Sequence, residues 1–417
     1  MTKTEEKSQV DRTVYENEDF NYAIGWNRFS LDVLGAWPRR NSGIIGRQRS
    51  LVCALGIIIL IYLPQSASVV VHWGNMDAVI ECLSVNGPVF LAFAKLLLFR
   101  YRRKEIRMLI DFMSDDWNTP RSLEEREAML RTAKMSRVIS LGSGVITHTL
   151  FVAYIFYKIY FGIEDMKRTD LDPRLAVGLL HPARLPFDTR KIEYFIPMWI
   201  GQCFCTYFSM TIYAVFDCMI SAVVLHICGQ FSVIGLALRN LADDQVGCRS
   251  DLFREKLAAI VKRHEKLNDS IGVIEDSFSS ILLPQMLICT FTFCFQGFAL
   301  ITSLLGSSTG KITFLETAFS VTYVFYTVLH LFVYCYIGDQ LLVESSSISY
   351  SVYDSHWYNL PARHARSLLF VGYRSLRPLK ITAGKYCGFS RNLFIIVLKT
   401  SMGYLSMLLT VKQRMTD

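Results

Sequence analysis

The sequence predicts an all-α polytopic membrane protein with seven transmembrane helices, a cytosolic N-terminus and an extracellular C-terminus. Three observations lead there. Of 417 residues, 52% are apolar and only 19% charged, and the mean hydropathy is +0.29. Seven apolar stretches reach the ~20 residues that a ~30 Å hydrocarbon core demands of a helix. Lys and Arg gather on alternate connections between those stretches.

The stretches are Leu51–Trp73, Val79–Phe99, Val138–Phe161, Phe195 to about Val224, Phe278–Leu305, Phe314–Ile337 and Gly388–Thr410. The first 50 residues mix both charge signs and contain no signal-peptide core, so the first span is expected to target the chain. The segment before span one and those after spans two, four and six hold 31 Lys and Arg, against 9 in the alternate segments. Cytosolic loops carry that excess, and Arg100-Tyr101-Arg102-Arg103-Lys104 abuts span two directly. The net charge of +8 therefore belongs to a membrane pattern, not to nucleic-acid binding.

The helical pattern from Phe195 continues without proline beyond residue 197 to about Leu241, far past the membrane, and Asp251–Ser280 has an amphipathic period. With the mixed stretch Gly338–Phe389 these predict a helical cytosolic platform. Most of the 11 cysteines lie inside apolar runs, where Cys behaves as a small hydrophobe; neither a disulfide framework nor a zinc site is expected. No P-loop, dinucleotide-binding fingerprint or nucleophile elbow is present, so neither an enzyme nor a cofactor is expected. The sequon Asn268-Asp269-Ser270 falls on the cytosolic side and is expected to stay unmodified. Lys95, Lys158, Asp217 and Glu316 read as snorkelling or edge charges. Arg391 and Lys399 require that the last span face water or protein.

The orientation is opposite to that of a G-protein-coupled receptor, and neither Asp-Arg-Tyr after span three nor Asn-Pro-x-x-Tyr in span seven occurs. A secondary transporter would show matching halves, which this chain lacks. The C-terminal third instead resembles the insect odorant receptor family. The resemblance is carried by Tyr334-Cys335-Tyr336-Ile337-Gly338-Asp339-Gln340-Leu341, by Glu344-Ser345 and by His356-Trp357-Tyr358-Asn359-Leu360-Pro361. It continues through Arg374, Arg377-Pro378-Leu379, Ile381-Thr382-Ala383-Gly384-Lys385-Tyr386, Phe394, Leu398-Lys399, Ser401 and Tyr404. Tyr22-Ala23-Ile24-Gly25-Trp26-Asn27-Arg28, Leu34-Gly35 and Trp37-Pro38 look like the opening of such receptors. Of the gustatory-receptor ending only Tyr404 survives, although a gustatory-type channel is the nearest alternative. The stretch Leu236–Ser280 is too short for the co-receptor's insertion.

The resemblance implies a ligand-tuned subunit of a non-selective cation channel in the plasma membrane of olfactory neuron dendrites. It would form a hetero-tetramer with the odorant co-receptor and open on binding small volatile molecules. Residues 51–337 would then hold six spans with an outer-leaflet pocket, residues 338–387 a cytosolic subunit-contact region, and residues 388–417 the pore helix. Met407 and Val411 match the family's hydrophobic gate, though a Met and a Val at i, i+4 also suit ordinary bundle packing.

A volatile ligand needs a concave, mostly apolar pocket. Helical spacing on the outer halves nominates Val89 and Phe93; His148, Phe151, Tyr154 and Ile155; Trp199, Cys203 and Tyr207; and Ala318 and Val321. Each also suits core or lipid contact. Subunit contact is expected of Tyr334, Asp339, Glu344, His356, Trp357 and Arg374, with intrachain caps and ion pairs as the competing use.

Overall fold

A computed structural model of the chain describes residues 17–38, 44–74, 76–166, 178–187, 191–243, 250–306 and 314–416. Seven of its helices are long and apolar enough to cross a membrane, matching the seven stretches read from sequence. In lipid, helices satisfy every backbone polar group within themselves.

Helix α1 (Glu18–Val33) is capped by Asn17, whose side chain accepts from the Asp19 amide. The first span is α2 (Ile44–Ile57), a π turn over Ile58–Tyr62, and α3 (Leu63–Val71). Pro64 causes the π turn, because it lacks an N–H and its ring crowds the preceding carbonyls. Helix α4 (Met76–Tyr101) is the second span, and α5 (Arg103–Asn118) is amphipathic, burying Ile106, Leu109, Ile110, Met113 and Trp117. Four long rods follow: α6 (Leu123–Met166), α7 (Ile192–Asp243), α8 (Ser250–Gly306) and α9 (Phe314–Asp354).

At ~1.5 Å per residue the 52 residues of α7 reach about 78 Å, and the 57 of α8 about 86 Å. Both are more than twice the ~30 Å hydrocarbon core, and the excess lies at one end of the bundle, where α5 and α10 (Ala362–Ser375) also pack. That is the platform. It departs from the sequence reading in three respects. The amphipathic segment 251–280 is the first half of α8, not a separate helix, and span six runs on unbroken to Asp354. Between α10 and the last helix, α11 (Arg391–Thr416), lies a two-stranded hairpin in place of helix. Strand β1 (Thr382–Ala383) pairs antiparallel with β2 (Cys387–Gly388). Its turn places Gly384 and Lys385 at φ +60° and +66°, the two positive values of a primed hairpin turn.

Helix α7 is the axle. Its apolar window is wholly buried within the chain, whereas that of α11 is only 17% buried. Around α7 the main core gathers Phe216, Phe231, Leu238, Phe253, Leu267, Tyr334 and Ile348. Two buried acids tie polar groups to it. At the platform, Asp116 Oδ1 lies 2.7 Å from Arg263 and Oδ2 lies 3.1 Å from His226 Nε2. Burial alone would raise this carboxyl's pKa. The His226 hydrogen bond and the Arg263 and Arg121 charges outweigh it and hold the group below its ordinary range.

The second acid, Asp217, sits inside the bundle. Lys95 neither snorkels nor reaches solvent: its side chain is 0% exposed, and Nζ lies 2.5 Å from Asp217 Oδ1. His330 Nδ1 meets Asp217 Oδ2 at 2.8 Å, and the Tyr334 hydroxyl donates to Oδ1 at 2.5 Å. Lys95 Nζ also stands 3.7 Å from the centre of the Tyr213 ring. Breaking a buried pair strands a charge, typically costing ~3–5 kcal/mol, while replacing both partners by apolar groups is far milder. Lys95→Met and Asp217→Leu are therefore each expected to lower the thermal midpoint and monodisperse yield of the purified protein. The double variant should recover most of the loss; additive losses would contradict the pairing.

Candidate ligand-binding site

At the end of the bundle opposite the platform, the helices splay around a cavity of about 530 Å³. Helix α4 contributes Ile80, Ser84, Val85, Pro88 and Val89; α6 contributes Leu150, Tyr154, Tyr157 and Lys158. From α7 come Thr206, Ser209, Met210 and Tyr213, and from α8 Cys289, Thr292, Phe295, Gln296, Phe298, Ala299 and Thr302. Helix α9 completes the wall with Phe319, Ser320, Tyr323, Tyr326, Thr327 and His330, and Lys412 of α11 stands at its edge.

The segment 178–187 closes one side. Leu180 and His181 are buried, and the His181 ring stacks on Tyr154 at 5.6 Å. The Tyr154 hydroxyl donates to the Leu180 carbonyl at 2.7 Å, His181 Nε2 lies 2.8 Å from Thr206 Oγ1, and the His181 amide donates to Gln202. Burial, and then the charge of Lys158, push the His181 imidazole far below its ordinary pKa. It is a neutral strut between α6 and α7.

Of the residues nominated from sequence, Val89 and Tyr154 line this cavity. The others lie elsewhere. His148 caps back onto the Gly144 carbonyl at 2.6 Å and meets the Tyr207 hydroxyl at 3.2 Å; Phe151 packs edge-on against the same Tyr207 ring. Phe93 joins a small core with Ile57, Ile61 and Ile212. Ile155, Trp199, Cys203 and Ala318 are absent from the lining, and Val321 is half exposed on the outer surface of α9. The displacement is a helix rotation. On α7 the lining positions are 206, 209, 210 and 213, about a quarter turn from 199, 203 and 207. Every face of these spans is apolar, so period alone does not reveal which one turns inward. The α8 wall was not anticipated at all; Thr292, Gln296 and Thr302, polar residues four and six apart within a span, were the available signal.

The cavity floor meets the Asp217 cluster. The His330 ring lies 5.1 Å from Tyr213 and 4.4 Å from Tyr326, and Gln285 Nε2 donates to the Tyr213 hydroxyl at 2.6 Å. On the far side of Asp217, Tyr334 packs on Phe389 at 5.5 Å between ring centres. Phe389 lies two residues before the last helix and donates its amide to the Ile381 carbonyl of the hairpin segment. A continuous chain of contacts thus joins cavity to the base of α11.

Helix α11 buries Val397, Ser401 and Leu405 against α8, with Cys294 Sγ donating to the Ser401 carbonyl at 3.3 Å. Its remaining surface is open. Met407 is 65% and Val411 38% exposed, and Lys399 is exposed too.

Three nominated contact residues are used within the chain. Tyr334 is 1% exposed and bound to Asp217, Asp339 pairs with Arg391 at 2.6 Å, and Glu344 accepts from Ser232 of α7 at 2.9 Å. Their carboxylates and hydroxyl are drawn inward by partners that the distant sequence supplies. Trp357 is half-buried on the platform core, whereas His356 and Arg374 are exposed, His356 standing edge-on to Tyr358.

The base of α11 has no slack. A Cβ on Gly338 would lie 2.5 Å from the Phe389 carbonyl oxygen and 2.8 Å from its Cβ. Gly338→Ala is therefore expected to destabilise by ~1–3 kcal/mol, the usual range for overpacking, read as a lower thermal midpoint. An unchanged midpoint would show that this junction yields.

The seven-transmembrane odorant receptor family model matches residues 75–402. The chain is similar to Odorant receptor 13a of Drosophila melanogaster, 23% identical over 91% of this chain and 94% of the relative. It is also similar to the odorant receptor coreceptor of Ooceraea biroi, 25% identical, but over only 39% of this chain and 32% of that one. Among solved structures, the olfactory receptor OR5 from Machilis hrabei in complex with eugenol superposes with TM-score 0.77 at 14% identity, covering 94% of this chain and all of that one.

Proposed function

Since the chain belongs to the seven-transmembrane odorant receptor family, we propose that it is the odorant-tuned subunit of a ligand-gated, non-selective cation channel assembled with the co-receptor. The observation that carries this reading is the pairing of a mostly apolar cavity with a last helix most of whose surface is left uncovered by the rest of the chain. Cavities of ~300–1,000 Å³ suit small ligands. A membrane helix with exposed Arg391 and Lys399 suits a water-filled axis shared with neighbouring subunits.

The Lys and Arg asymmetry supports a cytosolic platform and an outer-leaflet cavity, and membership of the family supports the plasma membrane of sensory dendrites. His356 and Arg374 face outward on the platform beside the half-buried Trp357, and the three serve contact between subunits. Met407 and Val411 form the apolar constriction, closed by dewetting and opened when the helix withdraws them.

Ligand acts by population shift. It binds more tightly when the cavity walls adopt their open arrangement, and the tilt of Tyr213, Tyr326 and His330 passes through Asp217 and Tyr334 to Phe389. Binding without such differential affinity would move nothing. The two-state element is the docking of the Tyr334–Phe389 pair under α11.

Co-expression with the co-receptor, with whole-cell recording under a broad volatile panel, tests the reading. Fast cation current that survives G-protein blockade is expected, and silence across the panel overturns it. Met407→Ser and Val411→Ser are expected to raise the standing current several-fold without ligand; an unchanged baseline would remove them from the gate. Impermeant antibodies on intact cells should label a tag at the C-terminus and not one at the N-terminus.

A further inference from the structure

Most buried hydroxyls on the cavity wall are committed to the protein. Thr206 donates to the Gln202 carbonyl, Thr327 to that of Tyr323, and the Tyr326 hydroxyl is shared with Thr147. Among the described residues, two lining atoms are buried without any partner: Ser209 Oγ on α7 and His330 Nε2 on α9. Both side chains are more than nine-tenths buried, at 3% and 6% exposed. Both residues line the same cavity. Ser209 sits one helical turn from Tyr213, whose ring is 5.1 Å from His330.

The bonding state of His330 follows from its other nitrogen. Nδ1 lies 2.8 Å from Asp217 Oδ2, a carboxylate already balanced by Lys95. A neutral imidazole keeps the buried cluster at zero net charge, with Nδ1–H donating to the carboxylate. Nε2, on the opposite edge of the ring, is then a bare acceptor. Ser209, in contrast, has a proton to give.

Resting on the reading of this cavity as the odorant site, we propose that Ser209 and His330 select ligands bearing a hydroxyl, as alcohols or phenols, on an otherwise apolar skeleton. The ligand O–H donates to His330 Nε2 while its oxygen accepts from Ser209 Oγ–H. Ethers, ketones and esters satisfy Ser209 and leave His330 unmet; hydrocarbons leave both unmet. An ionised carboxylate has no proton for His330 and sets a second anion beside Asp217. A site built around unmet hydrogen-bonding groups rejects ligands that fail to complete them far more strongly than an apolar wall rejects a change in size.

The test is a matched triple (phenol, its methyl ether and the parent hydrocarbon) applied to the receptor co-expressed with the co-receptor, together with the corresponding alkyl alcohol set. The hydroxyl compounds are expected to be at least about tenfold more potent than the ethers, and the ethers more potent than the hydrocarbons. His330→Phe keeps an aromatic ring against Tyr213 and Tyr326 and should bring the alcohol-to-ether ratio towards one. Ser209→Ala, which leaves the Asp217 cluster intact, should erase the ether-to-hydrocarbon difference. Surface biotinylation verifies delivery. Should His330→Phe not reach the surface, the Ser209→Ala ratio decides. Robust currents with equal potency across each triple overturn the hydroxyl proposal alone. Silence of the wild-type receptor to every compound, with both subunits at the surface, overturns the odorant-channel reading and this proposal with it.

Discussion

A carboxylate enclosed within a helix bundle is tolerable only if its charge is answered there, and Asp217 is answered three times. Lys95 balances it from α4, and His330 and Tyr334 fill its remaining lone pairs from α9. Three spans are thereby locked in rotation and in depth. The cavity floor, the aromatic packing under the last helix and the centre of the bundle all take their positions from this cluster. Apolar side chains in lipid gain little by choosing one neighbour over another; a buried ion pair with directed hydrogen bonds has one arrangement.

The second organising constraint is length. Helices of 41 to 57 residues cannot all lie within a bilayer, and their surplus converges at one end around α7. There water returns as the solvent, and ordinary amphipathic packing resumes. Helices α5 and α10 bury clear apolar stripes, and Asp116 gathers Arg121, Arg263 and His226 into a polar knot. The chain thus divides by solvent. A water-facing end is rigidly cored, and a lipid-facing end is loose enough to enclose a cavity. Helix α11 reaches from one to the other, anchored at its base by Phe389 and Arg391 and largely uncovered above.

This division also explains where sequence reading succeeded. Apolar length is an intrinsic property of a segment, so the seven spans were legible to within a few residues at most ends. The rod from 195 to 241 was legible as well. The turn at Gly384-Lys385 was not read as a hairpin, because its two strands have two residues each, too few for an alternating pattern. Of the nominated ligand residues, Val89 and Tyr154 line the cavity, while those on α7 and α9 lie on neighbouring faces. With lipid outside and apolar residues within, no hydrophobic contrast marks the inward side.

Polar residues inside spans supplied the contrast that was missing. Lys95, Asp217, Gln285 and His330 all turn inward near the cavity floor, and Lys95 and Asp217 are buried against each other rather than reaching solvent. The amino-acid sequence by itself determined the class of solvent around each segment, and hence the number of spans, their lengths and the family. The tertiary structure alone decided which face of each helix meets which neighbour. That choice rests on pairings such as Lys95 with Asp217, 122 positions apart, whose complementarity exists only once the helices stand side by side.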